Sequence, residues 1–361
     1  MSQKLASAIL AAMMVLVMTV SARAPQGTGA ANRKVTKEQF EQWKKDLNNW
    51  GRWGKDDEIG TMNFITPAKR KQAAALVKEG FSVSLASDAD TEKAIDNTSP
   101  YEDEMLALGT DRIGVAFHGI THTHLDSLAH INYDGVFYNG YKPDPEQVKK
   151  ANGHAKNSIH NLKNGIFTRG ILIDIPQLKG VKYLEPGTPI YVEDIEAWLK
   201  KAGLKLLPGD AVFVRAGVWA RRKEVGPYLR GRAPGGKDAG LDPSVIPWLK
   251  KQDIAILAAD HPQYVSPSDV VGAVHDFALV SLGIHLMDNC DLEALSEAAA
   301  ARKRWEFLLT AAPLPDQGRH RIATQPDCDV LIATARLGFQ PTIDAYTRAS
   351  SQTRRKRWQP H

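Results

Sequence analysis

His118-Gly119-Ile120-Thr121-His122-Thr123-His124-Leu125-Asp126-Ser127-Leu128-Ala129-His130 places four histidines and one aspartate in thirteen residues, in a chain with 11 histidines among 361 residues. From Ile113 to Asp126 apolar and polar residues alternate, which predicts an extended strand. Alternate residues of a strand share a face, so His118, Ile120, His122, His124 and Asp126 point one way. A buried face of imidazoles and a carboxylate is costly unless something compensates it. A divalent ion does so, because neutral imidazole nitrogen and carboxylate oxygen are donors that Zn2+ and Mn2+ accept. His118, His122, His124 and Asp126 are therefore candidate metal ligands. His130 follows where the chain is expected to turn, and is the candidate catalytic residue, a general base and acid. A metal beside it would lower the pKa of bound water and polarise a carbonyl.

Outward from this run, strands and helices interleave, which predicts a mixed α/β architecture. Thr36-Lys37-Glu38-Gln39 reads as a capping box opening a helix to about Leu47. Thr66 caps a second helix with Pro67 at its first position. Strands are expected at Gly170–Ile175, Ala211–Arg215, Ala255–Ala259, Ile284–Asp288 and Trp305–Thr310. Helices are expected at Val192–Ala202, Pro243–Lys251, after His275, and from Asp291 to Arg302. His275, at the start of its helix, and Asp288, at the end of the strand that follows, form a second pair of candidate ligands. Trp50 and Trp53 are candidate substrate-binding residues, suited to a flat aromatic molecule. No phosphate-cradling glycine loop, Gly-x-Ser-x-Gly elbow or His-Glu-x-x-His helix competes with this reading.

Residues 1–24 read as a signal peptide. Lys4 supplies the positive start, Leu5 to Val20 the apolar core, and Ala22-Arg23-Ala24 the small-x-small cleavage pattern. Pro25 disfavours a cut there and moves the alternative site to Ala30 or Ala31. Residues 25–44 read as a linker and an N-terminal helix. The expected location is periplasmic or secreted, with no stable membrane anchor after processing. Two cysteines, Cys290 and Cys328, are too few for a disulfide framework in an exported protein. The net charge of +5 does not point to nucleic acid. From Asp316 to the end there are eight Lys or Arg and four Asp, so +4 of it lies in the tail and the body is nearly neutral.

The run Thr121 to His130 resembles the signature of the cyclase family, His-x-Gly-Thr-His-x-Asp-x-x-x-His. That family includes bacterial kynurenine formamidase (arylformamidase) and isatin hydrolase. Three further stretches resemble the family's longer branch: Trp50-Gly51-Arg52-Trp53-Gly54 through Gly60-Thr61-Met62-Asn63; Pro208-Gly209-Asp210 with Arg215-Ala216-Gly217; and Leu282 through Asn289. The resemblance spans residues 45–315. It implies a swivelling β/β/α domain with a mixed sheet and flanking helices, and Zn2+ or Mn2+ as cofactor. It also implies hydrolysis of an amide, lactam or related cyclic C–N bond in a small substrate, aromatic ones included, and a homo-oligomer. By position it makes His124 and Asp126 ligands, His130 the proton carrier, and His275 and Asp288 the late pair, with Asp276 as a one-residue alternative to His275.

Two departures stand out. Ile120 occupies the position of the first signature histidine, which leaves His118 or His122 to supply that ligand. After Pro313-Leu314-Pro315 the family pattern is lost, and residues 316–361 read as an aberrant tail, displaced in reading frame or disordered. Codons for Arg319 to Leu331 can be chosen so that a one-base shift gives Gly-Thr-Gly-Ser-Pro-Leu-Asn-Pro-Ile-Ala-Met-Phe and a stop, which resembles the longer branch. Two other activities fit the same ligands: a metal-dependent cyclase or dehydratase, and a non-catalytic exported metal-binding protein.

Overall fold

The computed structural model describes residues 34–146 and 156–313, and the backbone of 328–329 and 334–337. The expected signal peptide, residues 25–33 of the linker and most of the tail lie outside the described residues. The described strands are β1 (Phe81–Ser84), β2 (Glu102–Ala107), β3 (Thr110–Gly114), β4 (His124–Asp126), β5 (Ile166–Asp174), β6 (Pro189–Ile190), β7 (Ala211–Arg215), β8 (Gly240–Leu241), β9 (Ile256–Ala259), β10 (His285–Asp288), β11 (Glu306–Ala311), β12 (Cys328–Asp329) and β13 (Thr334–Leu337). The α-helices are α1 (Lys37–Asp46), α2 (Pro67–Ala74), α3 (Ile175–Lys179), α4 (Val192–Ala202), α5 (Val218–Val225), α6 (Ile246–Gln252), α7 (Ala273–Asp276) and α8 (Glu293–Arg302), with a π-helix at Phe277–Leu282. None of the described helices is long and apolar enough to cross a membrane.

Local chemistry sets many of these boundaries. The Gln39 N–H donates to Thr36 Oγ1 at 3.1 Å and opens α1. Thr66 caps α2, with Pro67 in its first turn. Gly203 adopts φ +67° and closes α4, where a left-handed residue satisfies the last carbonyls.

One mixed sheet organises the chain, in the order β1-β13-β11-β5-β7-β9-β10-β4-β12. The four central strands, β5, β7, β9 and β10, run parallel. Antiparallel strands extend the sheet on both sides. Alternation along each strand feeds two separate cores. Ile171, Ile173, Val212 and Val214 pack on one face with Ile195 and Trp198 of α4 and Ile246 of α6. Leu172, Phe213, Ile256 and Met287 pack on the other with Leu295 of α8 and Phe307. A sheet covered on both faces needs apolar residues at consecutive positions, which is why Ile171–Ile173 of β5, Ala211–Val214 of β7 and β9 read as continuous apolar runs.

Two expectations change. The strand expected from Ile113 to Asp126 is interrupted: β3 ends at Gly114, a 3-10 turn covers Phe117–Gly119, and Ile120 takes φ +77°. A β-branched residue in the left-handed region is rare and breaks strand alternation. His275 lies inside α7 rather than at its start. Of the tail, the described residues place β12 beside β4, and β13 between β1 and β11.

Candidate metal centre

The site forms where the parallel sheet meets its antiparallel edge. β4 lies antiparallel to β10, with Asp288 opposite His124 and Leu286 opposite Asp126. Two-residue periodicity in β4 then turns His124 and Asp126 to the same side. α7, entering β10 through the π-helix, adds His275. Single-turn π segments inside helices are frequent at functional sites.

Asp126 is fully buried and stands at the centre of four imidazoles. Its Oδ1 is 3.4 Å from His124 Nε2 and 3.8 Å from His118 Nδ1. Its Oδ2 is 3.2 Å from His275 Nε2 and 3.8 Å from His130 Nε2. His275 Nε2 also lies 3.7 Å from Asp288 Oδ2. Two sets of ligand atoms are close enough to hold an ion, His124–Asp126–Asp288 and His118–Asp126–His130, and they share Asp126. The donor set fits a divalent metal, and a second observation agrees. Asp288 Oδ1 and His130 Nδ1 are buried without a hydrogen-bond partner among the described residues, a cost that a ligand removes.

Outer contacts orient the rings. His124 Nδ1 lies 2.8 Å from the His122 carbonyl, so it carries a proton there and turns Nε2 toward Asp126. His275 Nδ1 lies 3.1 Å from Asp276 Oδ1, which turns its Nε2 inward in the same way. Asp276 in turn pairs with Arg232.

The electrostatics are those of a metal-free carboxylate–imidazole cluster. Burial would raise the Asp126 pKa, but the surrounding imidazoles hold it well below the usual carboxylate range. Burial opposes the charge on His124, yet Asp126 lifts that imidazole to about 8. Burial likewise opposes charge on His275, and bonds to Asp126 and Asp276 with the charge of Asp288 raise it to about 10. Burial and the neighbouring Asp126 raise Asp288 to about 6. His130 goes the other way, to about 3, because burial outweighs the attraction of Asp126. Its ring stacks on His118 with centroids 4.0 Å apart.

A cavity of about 290 Å³ opens on this cluster. His118, His124, His130, His275 and Asp288 line one side. Ile120, Ile131, Pro262 and Tyr264 form apolar walls, and Arg232 and Asn289 supply polar groups. That volume lies at the small end of ligand pockets, room for one small molecule.

The structure therefore gathers His118, His124, Asp126, His130, His275 and Asp288. It does not bring in His122. With the strand broken at Ile120, the His122 ring turns away and meets Tyr101, centroids 6.3 Å apart. Its part here is the backbone carbonyl that orients His124. Trp50 and Trp53 do not line the cavity. Trp50 Nε1 donates to the Val280 carbonyl at 2.7 Å. Trp53 packs edge-on against Phe64, with centroids 5.2 Å apart. The segment that carries Trp50 instead satisfies the end of the π-helix. Asn49 donates through its backbone N–H to the Ser281 carbonyl (2.8 Å) and through its side chain to the Leu282 carbonyl (2.9 Å). Thr61 donates twice to Gly283. Sequence reasoning missed this role, and it missed Arg232 and Tyr264 in the cavity wall. No local spacing connects those residues to the histidine run.

The fold and the clustered ligands define a metal-binding α/β protein of the cyclase type, and comparison with known proteins agrees. The cyclase family model matches residues 60–264, more than half of the chain, and the chain belongs to that family. A solved structure described as a novel cyclase is 29% identical with a TM-score of 0.70, covering 81% of this chain and 98% of its own. Isatin hydrolase A from Labrenzia aggregata shares the fold at 17% identity and a TM-score of 0.51, covering 72% of this chain and 94% of its own. None of the curated proteins matches the chain.

Proposed function

We propose that this chain is an exported, metal-dependent hydrolase of an amide, lactam or related cyclic C–N bond, arylformamidase-like in mechanism. The observation that carries the reading is the convergence of four imidazoles and Asp288 on the buried Asp126, beside a cavity that those groups line and that is sized for one small substrate. His124, Asp126 and Asp288 would hold a Zn2+ or Mn2+ ion, with His275 and His118 beside them. Such an ion supplies Lewis acidity, making water nucleophilic near neutral pH and polarising a carbonyl.

The chain's own groups do the rest. Burial holds the His130 imidazole neutral, and its place beside the cluster makes it the group to accept the proton of the attacking water. The water oxygen bonds to the carbonyl carbon, the C–N bond breaks, and His130 returns the proton to the leaving nitrogen. The apolar walls suit a flat aromatic substrate. A second ion in the His118–Asp126–His130 set would withdraw His130 from proton transfer, so metal stoichiometry bears directly on its role. Export to the periplasm or beyond and assembly as a homo-oligomer complete the proposal.

The test is metal content of the purified protein beside turnover of N-formylkynurenine and isatin. One or two Zn2+ or Mn2+ per chain, lost in His124→Ala, are expected. His130→Ala should keep its metal and lose about 10²–10⁴-fold in turnover. Normal turnover by His130→Ala would remove it from the mechanism. A product formed without added water would replace hydrolysis by lyase chemistry. Bound metal without turnover of either compound would leave metal binding as the activity.

A further inference from the structure

Arg232 is a permanent cation in the cavity wall, whose apolar part is formed by Ile120, Ile131, Pro262 and the ring of Tyr264. Its backbone neighbour Gly231 also lines that cavity, and Ile120 packs against Gly231. The guanidinium is fixed from two sides. Asp276 accepts from Nη2, and the ring of Tyr264 lies 5.6 Å from the guanidinium carbon, a cation–π distance. Tyr264 itself packs against His275, with centroids 6.4 Å apart. Asp276 Oδ1 is shared with His275 Nδ1, so one carboxylate sets the position of both the candidate ligand and the cation.

An arginine presents five N–H donors in a planar fork. Asp276 engages one of its terminal nitrogens through a single oxygen, and the Arg232 side chain remains 44% exposed. Its aromatic and carboxylate supports fix its direction, so little rotamer freedom is lost when a ligand binds. A fixed fork beside apolar walls matches a molecule with a flat apolar body and a carboxylate.

We propose that Arg232 is a specificity-determining residue that binds a carboxylate on the substrate, making the substrate class a small, ring-sized amide or lactam that itself bears an acid group. This deepens the hydrolase reading and rests on it for the reaction. The binding subsite is testable without turnover.

The experiment uses the metal-loaded protein and two unreactive probes of the same shape, benzoate and benzamide, with affinities measured by calorimetry. Benzoate should bind at least tenfold more tightly than benzamide. Arg232→Gln should abolish that preference while keeping the metal content, and Arg232→Lys should keep part of it. Equal affinity for the two probes in the unaltered protein overturns the proposal before any variant is made. So does a benzoate preference that survives Arg232→Gln, which would assign the carboxylate to the ion. Loss of metal in Arg232→Gln would make Arg232 a positioning residue for His275 through Asp276, and would overturn it too. A benzoate preference in a protein that hydrolyses neither N-formylkynurenine nor isatin would uphold the subsite while the hydrolase reading fails.

Discussion

Acidification should strip the metal from this protein with a steepness that the site itself sets. In the metal-free chain His124 and His275 are protonated at neutral pH, with pKa values of about 8 and about 10. An ion held by His124, with the adjacent His275 drawn in as a further ligand, must displace both protons. Below pH 8, two protons leave per ion and apparent affinity rises about 100-fold per pH unit; between pH 8 and 10 it rises about tenfold per unit, and above that it levels off. From pH 6 to pH 8 the change is about 10⁴-fold, or about 5.5 kcal/mol. Below about pH 6 Asp288 protonates as well, adding a third proton to the slope. Competition for Zn2+ with a chromophoric chelator at a series of pH values measures the affinity. Calorimetry in buffers of different ionisation enthalpy counts the protons. Fewer than one proton released at pH 7, or affinity that grows as pH falls, would refute the reasoning. Folding stability of the metal-free chain should move the opposite way. His124 and His275 have folded pKa values above their usual 6.5, so their contribution is full below pH 6.5 and is lost as pH rises through about 8 and about 10. Asp288, also raised, loses its contribution as pH rises from 3.8 through about 6.

Trp50→Phe removes the N–H that meets the Val280 carbonyl and should lower stability by about 1–3 kcal/mol, read from chemical denaturation; metal content and the benzoate preference should not change. Gly60→Ala should be far worse. A Cβ there would lie 2.1 Å from the Gly283 carbonyl oxygen, at a φ of +55°, and a loss of about 3 kcal/mol or more is expected in a thermal melt. Re-reading the DNA around Gly318 and Arg319 should reveal a shifted frame encoding the longer-branch ending; a coding sequence that cannot yield it sets the displaced-frame expectation aside.

Much of the fold was legible because its signals are local. Thr36, Thr66 with Pro67, and Gly203 mark helix ends through side-chain caps and a left-handed glycine, and Ala211–Arg215 appears with its expected bounds. In the site, His124 and Asp126 were legible as a pair because β4 keeps strict alternation across just the residues between them. His122 was assigned to the ligand face because nothing in an isoleucine announces a positive φ. Arg230 helps to hold that turn, with Nη1 3.3 Å from the Ile120 carbonyl, but it is remote in sequence. Trp50 looked like a substrate contact because an aromatic residue in a glycine-rich loop does not show which carbonyl it will meet. The carbonyl belongs to a π-helix more than two hundred residues later.

The facing of His124 and Asp288 across β4 and β10 has a consequence for how the chain reaches its native state. About 160 residues separate the two strands, so the site closes a very long loop, and contacts of such sequence separation are slow to form. An ion cannot nucleate collapse from an early segment, because β4 offers only His124 and Asp126 until β10 and α7 arrive. Metal uptake should therefore lag behind burial of the central parallel strands in a refolding experiment. A newly made chain would pass through a compact, metal-free stage before the ion is bound.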